Sequence, residues 1–237
     1  MDQTIYSLSK YIAHAGVCAR RKAVELIQLG EVEVNGEKVT EPGHKVTCAD
    51  QIFVSRKKAV IKETYAYVLL NKPQGYVSTV SDEKGRLTVL SLINSNKMRL
   101  YPVGRLDIQT TGLLLLTNDG QLAQKLAHPK FEMRKEYHVM LDRSVSDDDI
   151  QKIKAGMRFS DGKVIVDRVY RPASKPPHHV GIVLHSGKYH VIRRIFERLG
   201  YNVIKLDRVG YAGLNKKGLL KAGTWRHLTP DEVKSLT

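Results

Sequence analysis

The stretch Tyr101-Pro102-Val103-Gly104-Arg105-Leu106-Asp107-Ile108-Gln109-Thr110-Thr111-Gly112 concentrates the residue types most able to do chemistry. Asp107 lies between two glycines and just ahead of the apolar run Leu113 to Leu116. That context puts its carboxylate on a loop held by a buried strand, the usual place for a working side chain. A carboxylate close to arginine, here Arg105, stays ionised and can serve as a nucleophile. Residue type alone leaves two other readings open, a turn former or an ion-pair partner. Asp147-Asp148-Asp149 is a second acidic group, but Ser146 precedes it as an N-cap, so the triplet reads as a helix start. P-loop, GxGxxG, HExxH and GxSxG patterns are absent, which removes support for nucleotide hydrolysis, dinucleotide redox chemistry and the common hydrolase plans.

The elements that would position Asp107 form an α+β pattern. Strand-like runs cover Tyr65 to Leu70, Leu113 to Thr117, Tyr137 to Leu141, Val164 to Val169 and Val180 to Leu184. Helical patterns cover Gln121 to Ala127, Asp147 to Ala155 and Val191 to Leu199. Ahead of them, Leu8, Tyr11, Ile12 and Ala15 recur at helical spacing and Gly16 closes that helix. A second helix fits Arg20 to Leu29, with Val24, Leu26 and Ile27 inward. Val32 and Val34 then lead into an Asn35-Gly36 hairpin turn, and Ile52 to Val54 gives a short strand. The division expected is a small module over 1–58, a charged linker over 59–64 (its composition already changes at Ser55) and a larger domain over 65–237.

The 237 residues carry 39 Lys+Arg against 24 Asp+Glu, a formal charge of +15. The excess is spread along the chain, so the folded body faces a polyanion, with nucleic acid ahead of membrane. No apolar run approaches the roughly 20 residues of a membrane span, and no secretory signal pattern is visible at the start. Two cysteines, Cys18 and Cys48, without ligand spacing fit a reducing cytoplasm. His178, His179, His185 and His190 fall close together, but strand alternation spreads them over both faces with no carboxylate or cysteine at metal-ligand spacing. They read as RNA-facing or structural. Arg20-Arg21-Lys22 sits at a helix N-terminus, where cations oppose the dipole unless a phosphate lies against them.

Leu8-Ser9-Lys10-Tyr11-Ile12, Gly16, Arg20-Arg21-Lys22-Ala23, Ile27, Gly30 and Val34-Asn35-Gly36 resemble an S4-type RNA-binding domain, with Ser7 where an arginine is common. Gly104-Arg105-Leu106-Asp107 resembles the signature of pseudouridine synthases, in the ribosomal RNA group that joins an S4-like domain to the catalytic domain. Further blocks follow in order: Asn71 to Thr79, His128-Pro129, Lys135-Glu136-Tyr137, Gly187 to Glu197 and Gly223 to Leu228. Gln109 and Val191 depart from the family pattern.

The resemblance implies a mixed, mainly antiparallel sheet and isomerisation of uridine to pseudouridine in ribosomal RNA, free or in a pre-ribosomal particle. It implies neither cofactor nor metal, and the protein is expected to be a monomer. Large-subunit RNA is favoured over small-subunit RNA. A noncatalytic ribosome-assembly protein is the competing class. By resemblance Asp107 is the nucleophile, acting at the sugar C1′, at the base C6 or in an elimination. Arg193 is its basic partner, and Tyr137 stacks on the target base. Arg105 holds or opens the RNA, and Lys72, Arg86, Arg134 and Lys188 contact its backbone.

Overall fold

A computed structural model describes residues 4–61, 65–93, 99–173, 175–215 and 221–236. The chain divides into two compact units. One holds the described residues up to Ala66 with Arg99 and residues 118–120, and the other holds the remainder.

In the first unit, β1 (Tyr6–Ser7) leads into α1 (Leu8–His14), followed by α2 (Arg20–Gln28). Strands β2 (Val32–Val34), β3 (Glu37–Lys38), β4 (Lys45–Val46), β5 (Ile52–Val54) and β6 (Lys57–Ala59) complete it. β1 pairs with β4, and the others form a sheet in the order β3-β2-β5-β6. Leu8, Tyr11, Ile12, Ala23 and Ile27 bury one face of each helix against Val32, Val34, Ile52 and Val54. Ala23 takes the inward place expected of Val24, which is only half-buried. Asn35 and Gly36 both have positive φ, as a two-residue hairpin requires. The expected linker starts too early: β6 pairs with β5, and Ala59 is buried. A charged sequence hid this strand because Lys57 and Lys58 are exposed. Residues 62–64 of that linker lie outside the described residues.

The second unit runs β7 (Tyr67–Lys72), β8 (Tyr101–Pro102), β9 (Thr110–Thr117), α3 (Gly120–Ala127), β10 (Lys135–Leu141), α4 (Asp147–Ala155), β11 (Met157–Phe159), β12 (Gly162–Val164), β13 (Arg168–Tyr170), β14 (His179–Leu184), α5 (Val191–Arg198), β15 (Val203–Tyr211), β16 (Trp225–His227) and α6 (Pro230–Leu236). The expected strand over Val164 to Val169 is two strands: β12 pairs with β11, whereas β13 joins the large sheet. That sheet has the order β13-β14-β10-β15-β9-β7-β16, with β8 also on β9. β15 runs parallel to β9, and the sheet's other pairings are antiparallel. Fold class and mixed, mainly antiparallel sheet are as the sequence implied.

Helices cover the sheet through two apolar clusters. Ile150 and Ile153 of α4 and Ile192, Ile195 and Phe196 of α5 pack with Val139, Ile182 and Leu206. Leu122 and Leu126 of α3 pack with Leu69, Leu113 and Leu115. Ser146 caps α4, its Oγ accepting from Asp149 N at 3.1 Å, and Lys152, Ser146 and Tyr201 hold the Asp149 carboxyl down at about 2.

The close approach of β9 to β15 depends on Gly112. Its φ is +113°, and a Cβ there would lie 2.2 Å from the Arg208 carbonyl oxygen. Gly112→Ala is therefore expected to cost about 3 kcal/mol, from overlap and forced backbone. Urea unfolding checks this, and an unchanged midpoint would mean that the two strands part without penalty.

Candidate active site

Asp107 occupies the connection from β8 to β9, and the block Lys72 to Ser78 holds that connection. Lys72, fully buried at the end of β7, donates from Nζ to Thr110 O (2.8 Å), Asp107 O (3.0 Å), Pro73 O (3.1 Å) and Ile108 O (3.4 Å). Ser78 Oγ donates to Leu106 O at 2.8 Å and accepts from Leu106 N at 3.1 Å. Gly75 N donates to Ile108 O at 2.9 Å, and the Gln74 and Gln109 side chains hydrogen-bond each other. With its backbone fixed so tightly, the loop leaves the Asp107 side chain 46% exposed at the wall of a cleft of about 250 Å³.

The strands supply the cleft floor. Tyr137 on β10 is the cross-strand partner of Arg208 on β15, and Arg208 is the partner of Gly112 on β9. Arg208 is 2% exposed, donates from Nε to Leu113 O at 2.7 Å and lies over the Tyr211 ring at 4.6 Å. Its NH2 and the Oγ1 of buried Thr110 have no hydrogen-bond partner among the described residues, and both residues line the cleft. Two buried polar atoms without a partner among the described residues thus lie on residues that line the cleft with the exposed Asp107 carboxylate.

Two loops make the rim. One runs from His128 to Met133, just ahead of Lys135 at the start of β10, and the other from His185 to His190. His185 Nδ1 bonds Glu132 O, and Lys135 Nζ donates to Met133 O and His185 O at 2.9 and 2.8 Å. His190 Nε2 lies 3.4 Å from Asp107 Oδ2. Burial pushes the Lys72 ammonium down to about 8, with Asp107 pulling the other way and Arg208 adding to the drop. Burial and Arg208 likewise lower Lys135.

The structure thus brings Asp107, Tyr137, Arg105 and Lys188 to one cleft. Arg193 is not there. Val191, Ile192, Ile195 and Phe196 fix the buried face of α5, and NH1 of Arg193 instead donates to Val203 O at 3.2 Å. Val203 is five residues from Arg208, about 16 Å along an extended strand.

Lys72 is not a surface cation but a buried clamp on the Asp107 loop. Arg86 makes a close pair with Asp82 (NH2 to Oδ1, 2.6 Å) and does not line the cleft, and Asp82 is held down at about 2 by that contact. Lys188 directs Nζ to Asp161 O at 2.6 Å. Arg134 is exposed, as are Arg20, Arg21 and Lys22 of the first unit, where Lys22 pairs with Glu25 at 2.9 Å. The sequence reading missed Arg208 and did not single out His190 for the site. The first carried a signal, an arginine alternating with Leu206 on a strand; His190 follows the Gly187-Lys188 turn, where no periodicity applies.

Residues 66–198 match the RNA pseudouridylate synthase family, and residues 7–52 match the S4 domain. The chain is 45% identical over 232 residues to the ribosomal large subunit pseudouridine synthase B of Bacillus subtilis (strain 168), covering 97% of this chain and 94% of the relative. It is 34% identical over 238 residues to the dual-specificity RNA pseudouridine synthase RluF of Salmonella typhi, covering 100% of this chain and 80% of the relative. A crystal structure of a pseudouridylate synthase superposes with TM-score 0.69 at 28% identity, over 97% of this chain and 99% of that one. The matched region contains Asp107, the Lys72 clamp beneath it and Tyr137 beside it, and with the match running through the relatives' length this chain belongs to the RNA pseudouridylate synthase family.

Proposed function

We propose that this enzyme converts a defined uridine of large-subunit ribosomal RNA to pseudouridine, acting as a monomer in the cytoplasm. The observation that carries the chemistry is the cleft holding Asp107 at its wall, with Tyr137 and Arg208 opposite each other on adjacent strands. The likeness to the Bacillus subtilis large-subunit enzyme supports the choice of RNA. A cleft of about 250 Å³ takes an extruded base but not a stacked duplex, so the uridine leaves its stack to react. The N1–C1′ bond then breaks, the uracil turns and a C5–C1′ bond forms; the C5 proton is lost and N1 gains one, so the net change is an isomerisation.

Asp107 is the nucleophile in this reading, and the Tyr137 ring faces the base. Arg208 takes the cationic role that the resemblance implies for Arg193, because it lines the cleft and its NH2 has no acceptor among the described residues. A buried cation in the cleft wall favours the ionised carboxylate and the negative charge that develops on the base. The second unit carries this chemistry, and the first unit, which includes β6, holds RNA through Arg20 and Arg21.

The deciding experiment treats unmodified large- and small-subunit RNA with the protein and maps pseudouridine at single-nucleotide resolution. A new site in large-subunit RNA supports the reading, and a site only in small-subunit RNA moves the target. If neither free RNA is modified, assembly intermediates are treated next; no site in these either leaves the assembly-protein class. For the module, Arg20→Ala with Arg21→Ala is expected to lower the salt dependence of RNA binding, log K against log salt, by about 1.5 in slope. An unchanged slope would take these cations out of the interface.

A further inference from the structure

Tyr189 is 74% exposed although it lines the cleft. A tyrosine serving the core buries its ring, so this exposure needs another reason. The ring lies flat on the imidazole of His190, with centroids 3.8 Å apart and planes 14° apart. His190 in turn reaches Asp107 at 3.4 Å. The three side chains form a line from solvent to the nucleophile, with an aromatic face at its outer end.

The backbone beneath them is braced. His190 takes the left-handed conformation (φ 47°) as it starts α5. Lys188 N donates to Ser186 Oγ at 3.2 Å, Lys188 Nζ donates to Asp161 O at 2.6 Å, and Arg194 grips the Asp161 carboxylate at 3.0 Å. The platform is thus held by three neighbouring contacts while its face remains open. An exposed aromatic on a rigid mount beside a basic cleft is the arrangement that takes an unpaired base, since every base has a π-face.

His190 covers one face of the Tyr189 ring, which leaves the other face for a base. A uridine swung into the cleft leaves its neighbour without a stacking partner, and that neighbour stays tethered by one phosphate.

We propose that Tyr189 is the stacking platform for a base next to the target uridine, and that it biases the enzyme toward a purine there. This rests on the RNA-modifying reading of the same cleft. Sequence preference follows from stacking strength rather than from hydrogen bonding, so it is graded and not absolute.

The test uses the full chain carrying Asp107→Asn, titrated with a single-stranded uridine nonamer bearing 2-aminopurine at its centre. Fluorescence quenching is expected with Asp107→Asn alone and with Tyr189→Phe added. With Tyr189→Leu added, quenching is lost and binding weakens about tenfold. In the active protein, Tyr189→Leu is expected to raise KM about tenfold on the mapped ribosomal RNA fragment, with kcat changing much less, and to flatten any purine preference. Equal quenching and affinity for the leucine variant would overturn the platform. So would a phenylalanine variant as poor as leucine, since that places the effect in the hydroxyl. Quenching does not need turnover, so a wild-type protein that quenches but forms no pseudouridine fails the reaction reading alone. Turnover that is indifferent to Tyr189 fails the platform alone.

Discussion

Asp107→Asn is expected to lower pseudouridine formation by at least about 10⁴-fold while leaving RNA affinity within a factor of about three. The substitution exchanges a carboxylate oxygen for an amide nitrogen, which removes the proposed nucleophile and keeps the shape. The backbone cannot move in response, because Lys72 and Ser78 hold the carbonyls on both sides of residue 107 and not its side chain. The basic surface that attracts RNA is likewise untouched. Turnover is read by mapping after long incubation, and affinity by a binding titration with the same RNA. An asparagine variant that retains a few per cent of the activity would remove Asp107 from covalent chemistry. Equal loss of binding and turnover would make it a binding residue.

Asp107 was legible in the sequence because its neighbours are local: two glycines, an arginine and a leucine run within ten residues. Elements with clear periodicity were equally legible; α4 begins and ends where its pattern does. Contacts made across the sheet were not. Lys72 and Arg193 are both cations beside apolar residues in sequence, yet one is buried under the Asp107 loop and the other turns to the far end of β15. Pattern reading treats a lysine as solvated, which is the right default for an isolated cation. It fails where the carbonyls of Asp107, Ile108 and Thr110 converge on one ammonium, since only the register of β7 against β9 brings them to Lys72. Arg208 escaped notice for the same reason. Its strand, β15, alternates exposed Lys205 and half-buried Asp207 with buried Leu206 and Arg208, and nothing short of the parallel pairing with β9 identifies which face lines the cleft. The block Asn71 to Thr79, recognisable as a motif, thus has a physical role that the motif itself does not state: it is the seat of the Asp107 loop.

That role makes Lys72→Met the second large expected effect. Methionine fits the volume and removes the ammonium that the carbonyls of Pro73, Asp107, Ile108 and Thr110 share, so that Ile108 O keeps only Gly75 N and Asp107 O only Thr110 N of the donors named. Loss of the shared partner is expected to cost about 3–5 kcal/mol of stability. A nucleophile displaced by even about 1 Å loses about 10²-fold in rate, so kcat should fall by that much in the fraction that remains folded. The pH dependence separates the clamp from a general packing defect. In the folded chain Lys72 titrates near 8, below the ordinary lysine value of 10.5, because burial disfavours its charge. Between those values the unfolded chain keeps a proton that the folded chain has released. Linkage then makes this group's contribution to unfolding free energy rise with pH through that window, and level off outside it. The stability difference between wild type and Lys72→Met should therefore widen from pH 8 to pH 10 in urea unfolding. A packing defect without titration gives a constant difference, and that result would take the proton-bearing clamp out of the account of how Asp107 is held.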